Sequence, residues 1–173
     1  MQLHYRHALK QDADNIAHLV NSAYRGDSSR AGWTTEADIL SGSRIDTEGV
    51  CKILECENSV ILLCLQDDAI IGCVHLEKVG DAAYFGMFVV KPNLQGDGVG
   101  KKFMRQAENL TQTLWGVNKV WMYVISVRSE LIAYYERRGY VRTGRFKPFI
   151  SEAGKERQLV DNLQFEELEK QLA

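Results

Sequence analysis

The sequence of 173 residues has no apolar run long enough to cross a bilayer. Its longest apolar stretch, Val60 to Leu65, has the length of one buried strand, and the first residues lack the apolar core of a secretory signal. Lys plus Arg number 21 and Asp plus Glu number 23, so the formal net charge is only −2. A chain with so little net charge exerts no global attraction on nucleic acid or an anionic membrane. We therefore expect neither as a partner.

The four cysteines form no Cys-x-x-Cys pair. Two of them, Cys64 and Cys73, fall inside apolar, strand-like runs, where a reduced cysteine behaves as a small hydrophobic residue. This pattern favours a reduced, cytoplasmic setting. It also gives no reason to expect a metal site.

The chain also lacks internal repeats, low-complexity tracts and any linker rich in Pro, Gly or Ser. Its length is enough for one compact domain with a genuine core, and its composition (45% hydrophobic, 25% charged) is that of an ordinary globular protein. We expect residues 1–173 to form a single domain.

Hydrophobic periodicity predicts an α/β fold with a mixed, partly antiparallel sheet of about seven strands flanked by about four helices. The predicted strands are 3–8, 59–66, 69–78, 82–90, 119–127, 140–145 and 158–169. One predicted helix has Asp12 as its N-cap and carries Ile16, Leu19, Val20, Ala23 and Tyr24 on one face. The other predicted helical segments are 34–40, 46–57, 98–115 and 129–138. Asp67 and Asp68 have the composition of a tight hairpin turn between two of these strands.

The most informative segment is the glycine-rich turn from Gln95 to Lys101, which joins a strand ending at Lys91-Pro92 to a long amphipathic helix. Gly96, Gly98 and Gly100 stand at alternate positions. Glycine permits positive φ and a close approach of a ligand to the backbone. Successive amides of such a turn point inward, and the following helix adds its positive N-terminal dipole. The turn therefore predicts a phosphate or pyrophosphate site.

Two common phosphate motifs do not fit this turn. A dinucleotide-binding fingerprint requires G-x-G-x-x-G, whereas the spacing here is G-x-G-x-G. A P-loop requires Gly at position 95 and Ser or Thr at 102, where the chain has Gln95 and Lys102. A tight turn without any ligand is the remaining alternative, and three glycines are more than one turn usually requires.

Gln95-x-x-Gly98-x-Gly100 resembles the Q/R-x-x-G-x-G/A signature of GNAT-type N-acetyltransferases, and the preceding Phe88-x-Val90-x-Pro92 resembles that family's fourth strand. The resemblance implies the GNAT acyl-CoA N-acyltransferase fold, acetyl-CoA as acetyl donor and direct transfer to a primary amine in a ternary complex. It also implies an oxyanion contact from the amide of Phe88 or Val89. The cofactor-binding positions that it implies are Phe88, Val89, Val90, Gln95, Gly96, Asp97, Gly98, Val99, Gly100, Lys101 and Arg128.

A second resemblance implies a catalytic acid on the helix predicted over 129–138. Tyr135, with Gly139 and Tyr140 after it, matches the family pattern Y-x-x-x-G-F/Y. A phenol with an ordinary pKa near 10 stays protonated at neutral pH and could donate its proton to the leaving thiolate. The alternative is a core tyrosine with a hydrogen-bonded hydroxyl. Many relatives have Asn where this chain has Arg128, and arginine would reach a phosphate or carbonyl group instead.

The catalytic base is less evident from the sequence. Many relatives carry a glutamate on the fourth strand, but residues 84–88 contain no acid. His75 on the neighbouring strand, with Glu77 on the same face, is the candidate base because an imidazole titrates near neutral pH. Two alternatives are a structural histidine and removal of the proton by solvent.

The acceptor site of this fold forms between the first two helices and the late strands. Tyr24, Arg30 and Trp33 fall in the first region and are predicted to line it, and residues 146–149 would close the other side. The acceptor is then a small-molecule or peptide amine of unknown identity. The resemblance also implies a possible homodimer, because paired late strands often support dimers in this family. A CoA-binding sensor without catalysis and a nucleotide-dependent enzyme are the alternative functions.

Overall fold

A computed structural model of the protein describes residues 2–150 and 156–173. The strands there are β1 (His4–His7), β2 (Leu40–Gly42), β3 (Ser59–Gln66), β4 (Ala69–Val79), β5 (Ala82–Val90), β6 (Lys119–Ile125), β7 (Val141–Pro148), β8 (Glu156–Gln158) and β9 (Gln164–Gln171). The α-helices are α1 (Ala13–Tyr24), α2 (Thr47–Glu55), α3 (Val99–Trp115) and α4 (Ser129–Glu136). No helix in these two ranges is both long and apolar enough for a membrane span.

Seven strands form the main sheet in the order β1-β3-β4-β5-β6-β9-β7. All neighbours are antiparallel except β5 and β6, which run parallel. The β3–β4 hairpin turns at Asp67 and Asp68, both with positive φ (48° and 66°), as a type I′ turn requires. β2 and β8 form a separate two-stranded sheet. The predicted mixed α/β fold is therefore confirmed.

Each face of the sheet is covered by a pair of helices. α1 and α2 bury residues such as Ile16, Val20 and Val50 on one face. α3 and α4 bury Phe103 and Ile132, among others, on the opposite face. These two cores follow from the helical periodicity of apolar residues and from the alternation along the strands.

The segment 34–40 does not form the predicted helix but consists of turns leading into β2. The Glu36 carboxylate, which by sequence suits the first turn of a helix, is instead buried in ion pairs with Arg25 and Arg128. The backbone amide of Glu36 donates to the Tyr24 carbonyl. Tertiary contacts therefore override the local helical pattern here.

Two further boundaries differ from the predictions. The single strand expected over 158–169 is divided into β8 and β9 by turns that include Asn162, whose φ is 58°. Asp12 precedes α1 but does not cap it, because its carboxylate accepts hydrogen bonds from Arg6 and from the Leu9 amide. Asp46 does cap α2 through the Gly49 amide. Local patterns found the elements, while their ends depended on side-chain partners.

Candidate functional site

The candidate site is a cleft where β5 and β6 part. These two strands pair only at Ala83–Val120 and Tyr84–Trp121. Beyond that point Met87 has a positive φ of 52°, and the β4–β5 register shifts by one residue. This is a β-bulge, which bends a strand and ends its pairing. The second half of β5 thus presents an unpaired edge to the cleft.

Strand pairing decides which backbone groups of this edge face the cleft. Val89 pairs with Cys73 of β4, and the Lys91 amide donates to Ile71. Since successive residues of a strand point their backbone groups to opposite sides, Phe88 and Val90 face away from β4. Consistently, the Phe88 carbonyl accepts a hydrogen bond from the Tyr24 hydroxyl.

The glycine-rich turn stands at one end of this edge. Gly96 and Gly98 adopt positive φ values of 96° and 79°, and α3 begins at Val99. The Lys102 amide donates to the Gly98 carbonyl, which is the first i to i−4 hydrogen bond of α3. The amides of the first helical turn before it have no intrahelical acceptor. They form the free helix N-terminus at which the sequence predicts an anion site.

Gln95 fixes the turn in place rather than facing solvent. Its Nε2 donates to the Thr34 hydroxyl (2.8 Å) and to the Val90 carbonyl (2.9 Å), and its Oε1 accepts from the Thr34 amide (3.2 Å). Gly32 packs so closely on this side chain that a Cβ there would collide with it. The signature glutamine therefore joins β5, the turn and the loop after α1.

The turn opens onto a cleft of about 320 Å³, which we call the cofactor chamber. Lys101, Arg137 and Arg138 give it positive charge, which suits phosphate groups. Asp97 is exposed and does not line the chamber. The Val99 side chain is buried in the core, so only the backbone of Val99 is available to a ligand. The lining residues are Tyr24, Trp33, Thr34, Phe88, Val90, Gln95, Gly96, Gly98, Gly100, Lys101, Leu131, Tyr134, Tyr135, Arg137 and Arg138.

Aromatic packing forms one wall of this chamber. The rings of Trp33 and Tyr134 lie 5.1 Å apart, and the Arg138 guanidinium stacks 3.5 Å from the Tyr134 ring centre. The Tyr134 hydroxyl would lie 2.7 Å from a Cβ on Gly100, so this position requires glycine for close approach. Trp33, predicted to line the acceptor site, thus lines the cofactor chamber.

A smaller cleft of about 130 Å³ lies on the other side of β5, and we call it the acceptor chamber. It shares Tyr24, Phe88, Leu131 and Tyr135 with the cofactor chamber, so the two meet at the β5 bulge. Its other lining residues are Glu36, Arg44, Tyr84, Phe85, Gly86, Met87, Met122, Tyr123, Val124, Ile125, Arg128, Lys147 and Phe165.

Two buried tyrosines stand where the chambers meet. Burial, together with the adjacent Tyr24 and Tyr134, raises the pKa of Tyr135 well above its ordinary value. Burial also raises the pKa of Tyr24 to about 12. Within the described residues the Tyr135 hydroxyl has no hydrogen-bond partner, whereas that of Tyr24 is held by Phe88. Tyr135 therefore presents a free, protonated phenol to the junction.

Arg128 belongs to a buried ionic network. Its Nη1 lies 3.0 Å from Glu36 Oε2, and its Nη2 donates to the Thr34 carbonyl. The other Glu36 oxygen lies 3.1 Å from Arg25, which also pairs with Glu156 at 2.9 Å. Arg128 lines the acceptor chamber, so the structure does not bring it to the glycine turn. Its hydrogen bond to the Thr34 carbonyl holds that loop in place. The cofactor contact predicted for Arg128 stays a prediction.

His75 lies outside both chambers. Its Nε2 lies 2.8 Å from the Ser59 hydroxyl and 3.8 Å from Glu77, and its ring packs edge-on against Tyr84. Burial lowers its pKa to about 4, which makes it a weak base at neutral pH. These contacts support a structural role more than the predicted catalytic one.

We expect burial of His75 to lower the free energy of unfolding of the protein at acidic pH. The unfolded chain takes up the imidazole proton near pH 6.5, whereas the folded protein resists it down to about pH 4. Stability is therefore full above pH 6.5 and falls as the pH drops towards 4, by up to about 3 kcal/mol. Urea unfolding of wild type and His75→Gln at pH 7 and pH 4.5 measures this difference. An equal loss of stability in both proteins would contradict it.

Sequence reasoning missed two of the four charged residues that line the acceptor chamber among the described residues, Glu36 and Arg44. Glu36 and Arg44 look like solvent-facing residues of a polar segment, and no periodicity marks them as buried. Lys147 lies in the stretch 146–149 that was predicted to close this side. Arg30, predicted to bind the acceptor, lines neither chamber and pairs with Asp38 at the surface. Within the described residues no three His, Cys, Asp or Glu side chains converge as metal ligands.

The comparisons with known proteins agree with this geometry. The acetyltransferase (GNAT) family model matches residues 15–140, and no curated protein matches the chain. A putative phosphinothricin N-acetyltransferase has a similar structure, with 15% identity, 99% of both chains covered and a TM-score of 0.70. The ribosomal-protein-S18-alanine N-acetyltransferase from Escherichia coli shows 13% identity, 99% and 95% coverage and a TM-score of 0.72.

Mutant forms of the spermidine/spermine N-acetyltransferase SpeG from Vibrio cholerae are also similar, with 17% identity, 98% and 95% coverage and a TM-score of 0.67. At such identities these likenesses show the fold and not the acceptor. The fold and the glycine turn define a GNAT-type acyltransferase architecture. The family model covers well over half of the chain, so this protein belongs to the GNAT acetyltransferase family.

Proposed function

We propose that this protein is an N-acetyltransferase that transfers an acetyl group from acetyl-CoA directly to a primary amine in a ternary complex. The observation that carries the proposal is the junction of the two chambers at Phe88 and Tyr135. A donor on one side and an acceptor on the other would meet there without a covalent enzyme intermediate. Holding both reactants in one cleft supplies much of the rate through proximity.

The residues of the cofactor chamber fit acetyl-CoA. The free amides at the start of α3, with Lys101 and Arg137, would hold its pyrophosphate. The edge of β5 would pair with the pantetheine arm through the Phe88 and Val90 amides, since the carbonyls of these residues already accept from Tyr24 and Gln95. Bound there, acetyl-CoA would supply the thioester whose acetyl group goes to the amine.

Phe88 is placed to stabilise the developing negative charge. Its backbone faces the cleft at the bulge, whereas that of Val89 is paired with β4. Of the two predicted oxyanion donors, the structure therefore supports the Phe88 amide. A fixed amide directed at a carbonyl oxygen stabilises the transition state more than the ground state.

Tyr135 would protonate the leaving sulfur. Its raised pKa keeps the phenol protonated throughout the neutral range, and its hydroxyl has no competing partner among the described residues. The one carboxylate that lines the acceptor chamber among the described residues, that of Glu36, is held by two arginines. We therefore propose that the amine loses its proton to water rather than to a protein base.

Three further expectations stay predictions: one domain over residues 1–173, a homodimer and a cytoplasmic location. The alternative function is a CoA-binding sensor without catalysis. The absence of an acid on β5 favours it, and the free hydroxyl of Tyr135 opposes it. Both functions require a CoA site, so they differ only in turnover.

Calorimetric titration with acetyl-CoA tests the proposal first. We expect saturable binding with one site per chain, and no binding of ATP or NAD at the same concentrations, because the glycine spacing fits neither nucleotide motif. A screen of primary amines by mass spectrometry would then detect acetylated products. Absence of acetyl-CoA binding would exclude both the enzyme and the sensor.

A further inference from the structure

The charges of the acceptor chamber distinguish between classes of acceptor. Among the residues that the structure describes, three cationic side chains, those of Arg44, Arg128 and Lys147, line it with one carboxylate, that of Glu36. Both oxygens of Glu36 are engaged, one by Arg25 and the other by Arg128. Glu36 is therefore fully engaged by Arg25 and Arg128, and within the described residues it forms no ion pair with Arg44 or Lys147.

Arg44 is partly buried and has unused hydrogen-bonding capacity. Its guanidinium lies over the Tyr24 ring, 4.9 Å from the ring centre. Within residues 2–150 and 156–173 it forms neither an ion pair nor a side-chain hydrogen bond. Burial lowers the pKa of Arg44, but the nearby Glu36, Tyr24, Tyr84 and Glu156 together raise it by more, so the group stays charged. A buried guanidinium with free N–H groups is suited to an anion.

The position of Arg44 relates this charge to the reaction centre. The Tyr24 ring on which it rests carries the hydroxyl that binds the Phe88 carbonyl, at the junction of the chambers. The Tyr24 side chain therefore lies between the Arg44 guanidinium and that junction. Lys147, whose Nζ lies 4.0 Å from the Tyr123 ring centre, lines the same chamber.

On this basis, and resting on the proposed transferase function, we infer that the acceptor is a small amine that carries its own carboxylate, and that Arg44 binds this carboxylate with Lys147 beside it. A free amino acid has this chemistry. A polyamine does not, because its additional ammonium groups would face Arg44 and Lys147 with like charge. The small volume of the chamber, about 130 Å³, agrees with a short acceptor.

The test compares matched product pairs in the presence of CoA. A panel of N-acetylated α-, β- and γ-amino acids and the corresponding carboxamides is titrated by calorimetry. For the members that fit the chamber, we expect the free carboxylate to bind at least about tenfold more tightly than its amide, as expected for charge-assisted hydrogen bonds. Binding of amides and carboxylates with equal affinity across the panel, or of none of them, would overturn the inference.

Three variants connect the preference to the named side chains. Arg44→Gln should reduce the carboxylate preference to less than about threefold, whereas Arg44→Lys should keep part of it because it retains the charge. Lys147 is exposed, so Lys147→Gln tests the chamber without disturbing the core. Arg105→Gln, an exposed arginine of α3 outside both chambers, is the matched control and should keep the wild-type ratio.

The outcomes separate this inference from the function on which it rests. Absence of acetyl-CoA binding would contradict the transferase itself. Acetyl-CoA binding with a carboxylate preference that survives Arg44→Gln would contradict only the role of Arg44. Acetylation of polyamines in preference to amino acids would leave the transferase intact and reject the acceptor class.

Discussion

Replacing Tyr135 with phenylalanine is expected to lower kcat by about 10²- to 10⁴-fold, the range typical of a lost general acid. The hydroxyl stands at the junction of the two chambers and has no partner among the described residues, so its loss should affect the reaction rather than the fold. Affinity for acetyl-CoA should change little, since the amides of the glycine turn and the cations remain. Single-turnover kinetics and calorimetry on the same preparation measure both quantities.

Tyr140→Phe is the matched control for this experiment. Tyr140 is also a buried tyrosine, but its hydroxyl binds Glu108 at 3.0 Å and it lines neither chamber. This variant should lose stability, by about 1–3 kcal/mol, and keep its kcat. If Tyr135→Phe retains wild-type turnover, the leaving thiolate is protonated by another group. If wild type and variant both bind acetyl-CoA without turnover on any amine, the sensor function is favoured.

Replacing Gly98 with leucine should weaken acetyl-CoA binding by about 100-fold or more. Gly98 has φ 79°, which an L-residue adopts at a cost, and a side chain there would project into the open space of the cofactor chamber. The change would displace the pyrophosphate from the free amides of α3. Two lost charge-assisted hydrogen bonds, at about 1.5–3 kcal/mol each, account for an effect of this size.

Gly80→Leu controls for the backbone strain. Gly80 has a similar φ of 62°, it lies in the β4–β5 turn, and a Cβ there would also meet nothing within 4 Å. Both variants should lose comparable thermal stability, but only Gly98→Leu should lose affinity for acetyl-CoA. Equal affinity in the two variants would show that the turn does not hold the pyrophosphate. Calorimetry and thermal unfolding together separate these results.

The elements most accurately predicted are those whose reasons are local. The bounds of β3 and β5 agree with the predictions because their nearly continuous apolar runs end at strong turn signals. The glycine turn was identified from spacing alone, since positive φ at Gly96 and Gly98 is a property of the residue type. Tyr135 could be placed at the site through its motif.

The differences between the sequence-based expectations and the structure arise where distant partners decide the structure. The segment 34–40 has a helical pattern, yet Arg25 and Arg128 hold Glu36 in a turn. His75 has a suitable ordinary pKa, but its burial beside Ser59 and Tyr84 is a property of the folded sheet. Arg30 and Arg44 look equivalent in the sequence, and only the fold places one at the surface and the other in the acceptor chamber.

The sequence by itself determined the α/β class, the strand–turn–helix unit proposed as the anion site and the tyrosine proposed as acid. Each depends on periodicity, glycine conformation or a short motif, all of which act over a few neighbouring residues. The tertiary structure decided the β5 bulge, the two chambers and the charges of the acceptor side. Those features result from contacts between residues far apart in the chain, such as Arg128 with Glu36 and Arg44 with Tyr24. No local pattern encodes such contacts, because they exist only once the sheet has brought both partners together.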